Sequence, residues 1–306
     1  MGILVIGATF VDIKGFPFDN YLPTGRNAGR VEYVHGGVAR NVVEDIANVE
    51  LRPTFLSIVD DTPMGDAVVQ KLRNHKVNTD YVLTRPDGMG TWLAVFDNNG
   101  DVAGSISKRP NMYPIAELLE EKGDEIFSQV PSVVLEVGLD KEIIKGTLSL
   151  AKKYNVKTFA LVANMSIAAE RRDLLQQFDC VICNQQEAGI LFLDDYENNT
   201  PEEMRDILAN RIIAANIPSM VVTMGAEGAV YANLQGEKGI CPAKKVQVKD
   251  TTGAGDSFCA GVAIGMTYGK TMAESVEIGT TLAASVITSS QNVCPRFRPE
   301  EFGLNI

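Results

Sequence analysis

The chain has 306 residues, with 28 basic and 39 acidic side chains and a net charge of −11 at pH 7. This balance excludes a broad nucleic-acid-binding surface, which needs a basic footprint. It does not exclude a small anionic ligand, because backbone amides or a metal ion can supply local positive charge. Hydrophobic residues make up 45% of the sequence, enough for the core of one large α/β domain. We therefore expect a single domain over residues 1–306.

The sequence carries no signal for a membrane partner. No apolar run approaches the length of about 20 residues that a membrane-spanning helix needs, and no basic segment precedes the first apolar run. The 5 cysteines are sparse for this length, which is typical of reduced thiols. We expect a cytoplasmic protein. The 2 histidines, His35 and His75, provide poorly for histidine-dependent hydrolysis or a His-ligated zinc.

The first predicted element is a strand at residues 3–6, an apolar and β-rich run of the kind that is buried in a parallel sheet. Asp12 follows near the end of the strand, where ligands collect in such sheets. Its carboxylate could accept hydrogen bonds from a hydroxyl-rich ligand, or it could simply form a turn. The pattern does not choose between these two roles.

The next predicted elements are a half-exposed strand at residues 30–35 and a helix at residues 38–47, where the apolar spacing becomes helical. Gly36 and Gly37 join them. The paired glycines could form a plain turn, or they could let a substrate ring lie against bare backbone. In the second case, Asn41 would supply a side-chain amide one turn into the helix.

Residues 91–107 are predicted to form a β-hairpin, because two alternating runs flank an Asn-Gly turn. With residues 30–35, this hairpin could form a small sheet standing off the main body. We expect Trp92, the only tryptophan, to pack within that sheet rather than to bind a ligand.

From residue 124 onward, strands alternate with helical stretches, which predicts an α/β fold with a mostly parallel central sheet and helices on both faces. The predicted strands are residues 132–135, 158–162, 180–183 and 220–224. Cys180 and Cys183 lie in one of them, where side chains three apart point to opposite faces. This geometry argues against a shared metal ion.

Polar residues and glycines follow two of these strands. Asn184 and Glu187 lie three apart at a helix start, where they could steer a hydrated Mg²⁺ and phosphates. The same spacing makes a capping box, and the residues alone favour the cap. Thr223, Gly225 and Gly228 follow the next strand, and glycines there offer bare backbone to a ligand.

Residues 250–258 read DTTGAGDSF and precede an apolar run of small residues that predicts a buried helix. Gly253 and Gly255 allow a sharp turn and a close approach to a ligand, while the unpaired amides of the helix start favour an anion. Asp256 is then placed to take a proton while a phosphoryl group is stabilised beside it. A plain N-cap is the alternative, although two glycines would be a costly way to make one.

This motif closely resembles the C-terminal signature of the PfkB, or ribokinase-like, family of sugar and nucleoside kinases. Gly36, Gly37 and Asn41 look like its N-terminal signature, and the resemblance covers residues 3–295. It implies a ribokinase-like fold with a small β-sheet lid contributed by about residues 10–35 and 89–108. It also implies a homodimer formed through that lid.

The resemblance assigns a role to each candidate residue. Asp256 would be the catalytic base, and the amides from Gly253 through Ala254 and Gly255 to Asp256 would form an anion hole. The residues that would bind the sugar are Asp12, Gly36, Gly37 and Asn41. The residues that would bind the nucleotide are Asn184, Thr223, Gly225, Gly228 and Asn292. Glu187 and Asn184 would hold Mg²⁺ through water, and Asp250 and Thr252 match positions that hold a monovalent cation such as K⁺.

The implied activity is transfer of the γ-phosphate of ATP to a primary hydroxyl of a ribonucleoside or sugar. Arg40 and the runs at residues 12–15 and 27–30 look most like the pseudouridine-kinase branch, so a pseudouridine-like acceptor comes first. Ribose, fructose phosphate or a related ketose are the alternatives. A non-catalytic nucleoside or sugar sensor would also keep the fold. A nicotinamide oxidoreductase is disfavoured, because no Gly-x-Gly-x-x-Gly follows the first strand.

The chain departs from the family pattern in two places. Residues 161–164 replace an acidic strand end that is common among relatives, which bears on contacts to nucleotide or metal. Residues 109–111 replace acidic or polar residues near the substrate, which bears on the identity of the acceptor.

Overall fold

The computed structural model describes residues 2–162, 169–170 and 172–304. Of the segments that depart from the family pattern, Ala163 and Asn164 lie outside the described residues. Strands and helices alternate through most of the described chain and build two separate sheets.

The main sheet has nine strands within the described residues. They are β1 (Leu4–Ile6), β4 (Thr54–Val59), β5 (Asn78–Thr84), β8 (Ser132–Glu136), β9 (Lys157–Leu161), β10 (Cys180–Asn184), β11 (Ser219–Thr223), β12 (Ala229–Asn233) and β13 (Lys238–Cys241). Their order is β13-β12-β11-β10-β9-β8-β1-β4-β5, parallel from β11 to β5 and antiparallel at β12 and β13. The mostly parallel sheet is therefore confirmed.

The second sheet, hereafter the lid sheet, consists of β2 (Phe10–Pro17), β3 (Gly29–Gly36), β6 (Gly90–Phe96) and β7 (Val102–Lys108) in the order β3-β2-β6-β7. The predicted hairpin is β6–β7, and the carboxylate of Asp97 holds its turn by accepting from the amides of Asn99 (2.8 Å) and Asp101 (3.0 Å). The separate small sheet is thus confirmed, with strands inside both predicted ranges.

Helices cover both faces of the main sheet. They are α1 (Val38–Asn48), α2 (Pro63–Asn74), α3 (Tyr113–Phe127), α4 (Lys141–Tyr154), α5 (Arg172–Leu175), α6 (Gln185–Phe192), α7 (Pro201–Ala215), α8 (Ala254–Thr267) and α9 (Met272–Ile287). One buried cluster lies under α3, α4, α6 and α7, and the other under α1, α2, α8 and α9. Cys183 belongs to the first cluster and Cys180 to the second, as the two-residue period of a strand predicts.

In the described part of the chain, no helix combines the length and the apolar character that crossing a bilayer requires.

Candidate active site

Helix α8 begins in a glycine turn. Gly253 has a φ of 83°, which is left-handed backbone, and a Cβ there would lie 2.1 Å from the carbonyl oxygen of Asn292. The amide of Ala254 donates to the carbonyl of Thr251 (3.2 Å). Around Gly255 the space is open, because a Cβ there would meet no atom within 4 Å. The conformation and packing at Gly253 therefore require glycine, whereas the space at Gly255 is open to a ligand.

Three backbone amides at this turn are unpaired in the described part of the chain and therefore available to an anion. Within the described residues, the N–H groups of Gly253, Gly255 and Asp256 have no hydrogen-bond acceptor. Unpaired amides at the N-terminus of a helix attract anions, and the helix dipole adds to that attraction. The site differs from the prediction at Ala254, whose amide is used inside the turn.

Residues at the start of α8 line two cavities. The lid-side cavity, of about 690 Å³, is bordered by the lid sheet and includes Asp12, Asn41 and Asp256. The loop-side cavity, of about 1020 Å³, lies over the ends of β10 and β11 and includes Gly255. Neighbouring residues of one turn therefore face two different cavities.

Asp256 is held by α1 and perturbed by burial. The Nδ2 of Asn41 donates to Oδ2 of Asp256 at 2.6 Å. Burial raises the pKa of Asp256 to about 7, against the hydrogen bond from Asn41 and the charge of Arg40, while the nearby Glu136 and Asp12 carboxylates raise it further. A carboxyl group with a pKa near neutrality suits proton transfer at physiological pH.

A second side chain of α1 fixes the same turn. Asp45 lies one helical turn beyond Asn41 and accepts from the hydroxyl of Ser257 (2.7 Å) and the amide of Cys294 (2.6 Å). Asp45 is fully buried, and burial raises its pKa to about 7. Two side chains of α1, Asn41 and Asp45, thus hydrogen-bond to the first turn of α8, and these bonds fix the position of Asp256.

Arg40 fixes the entry to α1. Its side chain is fully buried, its Nη1 lies 2.6 Å from Oε2 of Glu44, and the guanidinium also donates to the carbonyls of His35 and Gly36. Lys71 reaches the other oxygen of Glu44 at 2.7 Å. The charge of a buried arginine is thereby compensated at the junction of the lid sheet and α1.

The predicted sugar-binding residues come together around this junction. Asp12, Gly37 and Asn41 line the lid-side cavity. Gly36 lies beneath Asp12, where a Cβ would come within 2.4 Å of its carboxylate and would push that carboxylate aside. Gly37 has a φ of 96°, and its Cβ would lie 2.6 Å from the carbonyl oxygen of Ala8. Burial raises the pKa of Asp12.

Glu136 and Trp92, to which the sequence motifs gave no ligand role, also line the lid-side cavity, together with Arg109 from the segment that departs from the family pattern near the substrate. Glu136 ends β8, and its Oε2 accepts from the amide of Ala8 at 2.9 Å. A carboxylate directly after the predicted strand at residues 132–135 was the available signal. Arg109 enters from the end of the lid sheet. Trp92 does contact Phe96 within the lid sheet, edge to face at 6.4 Å between ring centroids, but it lines the cavity as well.

The loop-side cavity collects three predicted nucleotide residues, Asn184, Thr223 and Gly225. Gly228 has a packing role, because its φ is 102° and a Cβ would lie 2.1 Å from the carbonyl oxygen of Cys241. Asn292 lies elsewhere: its Nδ2 donates to the carbonyl of His35 at 3.0 Å, and it borders a third cavity beside the lid sheet. The role of Asn292 toward a nucleotide stays a prediction.

The candidate metal ligands already make different hydrogen bonds within the protein. Asn184 and Glu187 form the capping box of α6, with reciprocal hydrogen bonds of 2.8 Å, which leaves Oε1 of Glu187 outside the cap. Burial raises the pKa of Glu187. Asp250 accepts from the amide of Thr252 at 2.8 Å, beside the third cavity. No cluster of three or more acidic, histidine or cysteine side chains suited to a metal ion occurs among the described residues.

Comparisons with known proteins cover nearly the whole chain. The pfkB family carbohydrate kinase model matches residues 2–294. A guanosine-inosine kinase from Exiguobacterium acetylicum is 35% identical over 292 residues, 95% of each chain. A pseudouridine kinase from Escherichia coli (strain K12) is 26% identical over 276 residues, 90% of this chain and 86% of that protein.

Solved structures agree on the fold. A ribokinase from Arabidopsis thaliana, complexed with ribose and ATP, superposes with a TM-score of 0.86 at 20% identity, covering 98% of this chain and 97% of that one. A ribokinase from Giardia lamblia gives a TM-score of 0.84 at 14% identity over 99% of both chains. These likenesses establish a ribokinase-like fold. Because the family match spans almost all of the sequence, the chain belongs to the pfkB family of carbohydrate kinases and is a phosphotransferase that acts on an alcohol group.

Proposed function

We propose that the chain transfers the γ-phosphate of ATP to the primary 5′-hydroxyl of a ribonucleoside, with guanosine and inosine as the first candidates. The observation that carries this proposal is the position of α8 between two cavities, with Gly255 facing the loop-side cavity and Asp256 facing the lid-side cavity. A nucleotide on one side and a nucleoside on the other would meet at the unpaired amides of this turn.

In the proposed reaction, the carboxylate of Asp256 takes the proton of the acceptor hydroxyl as its oxygen attacks the γ-phosphorus. The bond to the bridging oxygen breaks in line, and ADP leaves. The amides of Gly253, Gly255 and Asp256 stabilise the charge on the transferred group. Phosphoryl transfer depends mostly on positioning and charge stabilisation of this kind.

The polar lining of the lid-side cavity favours a neutral acceptor with several hydroxyl groups. Among the described residues that line it, Asp12, Glu136, Asp140 and Asp256 are acidic, and Arg109 is the single cation. Carboxylates accept hydrogen bonds from hydroxyls, whereas this excess of negative charge repels a sugar phosphate. The lining therefore supports a nucleoside or free sugar over fructose phosphate.

The apolar part of the cavity lining favours a nucleoside over a free sugar. Phe10, Trp92, Met112 and Leu139 supply apolar and aromatic surface. The volume of about 690 Å³ lies within the range of roughly 300–1,000 Å³ typical of small-molecule sites. A pentose alone would leave the aromatic surface uncovered, whereas a nucleobase would bury it.

The choice of base departs from the first expectation. The motifs around Arg40 favoured pseudouridine, but the pseudouridine kinase is 26% identical to this chain and the guanosine-inosine kinase is 35% identical. We therefore place 6-oxopurine nucleosides ahead of pseudouridine, and ribose after both.

We place a hydrated Mg²⁺ at Asn184, which lines the loop-side cavity, and at Glu187, which lies three positions further along the chain and does not line it. This ion keeps several water ligands and needs only one or two carboxylates from the protein, so Oε1 of Glu187 and the side chain of Asn184 would suffice. When bound, Mg²⁺ neutralises charge on the nucleotide phosphates. We place a monovalent cation such as K⁺ at Asp250 and Thr252, where the second carboxylate oxygen of Asp250 is left outside the hydrogen bond to Thr252.

We also propose a homodimer formed through the lid sheet. Strand register places Tyr33, Ile13, Leu93 and Ile106 in one row across the face opposite Asp12 and Trp92. Tyr33 is 62% exposed and Ile106 is 70% exposed. A contiguous apolar surface of this kind is typical of a protein interface.

We place the activity in the cytoplasm, because all 5 cysteines are free thiols, as expected in a reducing compartment.

The direct test measures ADP production from ATP with a panel of acceptors: guanosine, inosine, adenosine, pseudouridine, uridine, ribose and fructose 6-phosphate. We expect guanosine and inosine to give the highest kcat/KM. Turnover of ribose or fructose 6-phosphate without turnover of any nucleoside would contradict the proposal. Nucleoside binding with no ADP formed from any acceptor would instead identify a sensor.

A further inference from the structure

We propose that Arg109 determines base specificity by pairing with the 6-oxo edge of a purine that stacks on Trp92. The inference rests on the proposed nucleoside kinase activity and adds to it the residues that recognise the base.

The lid sheet brings these two side chains to one wall of the lid-side cavity. Trp92 on β6 pairs with Ser107 on β7, and both residues line the cavity. Arg109 follows Ser107 by two positions, which directs its side chain to the same face as long as the backbone stays extended. Arg109 also lines the cavity, so a guanidinium and an indole share this wall.

Most N–H donors of the Arg109 guanidinium make no hydrogen bond to the described residues. Its Nη1 lies 3.4 Å from the carbonyl oxygen of Gly138, at the outer limit of a hydrogen bond. Among the described residues, no carboxylate lies within ion-pair distance of it. Its positive charge still acts within the cavity: burial raises the pKa of Glu136, and the charge of Arg109 partly offsets that rise. Because arginine presents five N–H donors in a planar fork, most of this capacity is left for a ligand.

The chemistry of that fork selects one class of base. Guanine and hypoxanthine present two acceptors, O6 and N7, on the same edge, and arginine binds that edge with two hydrogen bonds. Adenine presents an amino donor in place of O6, which opposes a guanidinium. Trp92 offers an aromatic face on which any base can stack, so it adds affinity without distinguishing among bases.

The test compares inosine with purine riboside, which lacks O6, in wild-type protein and in Arg109→Met. We expect the variant to lose about five- to a hundredfold in kcat/KM for inosine and to change little with purine riboside. The preference for inosine should therefore collapse. Arg109→Lys, which supplies a point charge but no fork, should keep only part of the preference.

A matched control separates this effect from loss of a surface charge. Arg85 is exposed, donates to the carbonyl of Thr84 and lines neither the lid-side nor the loop-side cavity. Arg85→Met should leave the kinetics of both acceptors unchanged. Because Trp92 is the only tryptophan, its fluorescence should be quenched by inosine, and Arg109→Met should weaken the affinity measured in this way while preserving the emission of the free protein.

Different results would contradict the role of Arg109 and the nucleoside kinase proposal. An equal inosine preference in wild type and Arg109→Met would overturn the role of Arg109 and leave the kinase proposal intact. If wild-type protein phosphorylates no nucleoside, the proposed function itself fails. Turnover of fructose 6-phosphate that is lost in Arg109→Met would overturn both, by showing that the guanidinium binds a phosphate.

Discussion

Asp256 combines a proton-accepting side chain with a backbone amide in the anion site. Its carboxylate is held by Asn41, its own N–H is unpaired, and its neighbour Gly255 faces the other cavity. In the proposed mechanism, one residue therefore contributes both to proton transfer and to binding of the transferred group. Both roles need the turn to be held in place. Asp45 of α1 helps to hold it by accepting a hydrogen bond from the hydroxyl of Ser257.

The raised pKa of Asp256 predicts a specific pH dependence. Burial raises this pKa from 3.8 to about 7, and only the deprotonated carboxylate can accept a proton. We therefore expect kcat/KM to rise with pH and to level off above about 7. The measurement is a rate profile between about pH 5 and pH 8.5 with a saturating nucleotide. A profile that is already flat at pH 5 would show that the base titrates near the ordinary value for aspartate.

Glycine positions decide how closely α8 and α9 pack. A Cβ on Gly261 of α8 would lie 2.5 Å from the Cα of Gly279 of α9, so the two backbones are in contact. Gly146 in α4 is the opposite case, because its Cβ would lie 3.9 Å from the nearest atom, a side-chain carbon of Leu119. The same substitution should therefore have opposite effects in the two helices.

We predict that Gly261→Ala lowers the free energy of unfolding by about 1–3 kcal/mol through overpacking. Gly146→Ala, the control, should raise it by about 0.5–1 kcal/mol, because alanine restricts the unfolded chain and favours the helix. Urea unfolding of both variants measures the difference. Equal effects in the two variants would contradict the close contact of α8 and α9.

The sequence was most informative where burial on both faces makes a strand continuously apolar. The predictions at β1 and β8 to β11 are of this kind, and their confirmation reflects that pattern. Strand β13 was missed because it is short, contains Gly239 and is only partly buried at the antiparallel edge. Strand β5 also lies beyond the predicted strands, because its burial is mixed, which leaves no continuous apolar run.

Within the site, too, residues in a clear local pattern were predicted and residues outside one were not. Residues in local motifs, such as Asn41 and Asp256, were identified because the glycines beside them mark a special backbone. Glu136 was not, because its place in the cavity depends on which strand ends meet in space, and Arg109 was noted only as part of a departure from the family pattern near the substrate. A local sequence pattern carries no information about such long-range contacts. Trp92 packs within the lid sheet as expected and also lines the lid-side cavity.

At the scale of the whole molecule, the lid sheet has one face over the cavity and an opposite, outward face. On that outward face Tyr33 and Ile106 are exposed, whereas Ile13 is partly buried against the second core cluster. If the outward face forms the proposed dimer interface, Ile106→Glu should dissociate the dimer, because it places a charge in the apolar row. Ile213 on α7 is a matched control, since it is 66% exposed and Ile106 is 70% exposed. Ile213→Glu should leave the assembly unchanged.

Sedimentation velocity of the two variants and the wild type provides the measurement. A wild-type protein that sediments as a monomer, or a dimer unaffected by Ile106→Glu, would contradict the lid interface. Because β6 carries Trp92 on its inner face and Arg109 directly follows β7, loss of the dimer should also weaken acceptor binding.

The central claim is that Asp256 acts as the base at a turn shared by two substrates. The most direct measurement is the single-turnover rate of phosphoryl transfer to inosine in wild type and Asp256→Asn, with nucleotide affinity determined on the same samples. We predict a rate at least about a hundredfold lower in the variant, with nucleotide affinity largely unchanged, because Asn keeps the shape of the turn and its amides. Near-wild-type transfer by Asp256→Asn would contradict the account.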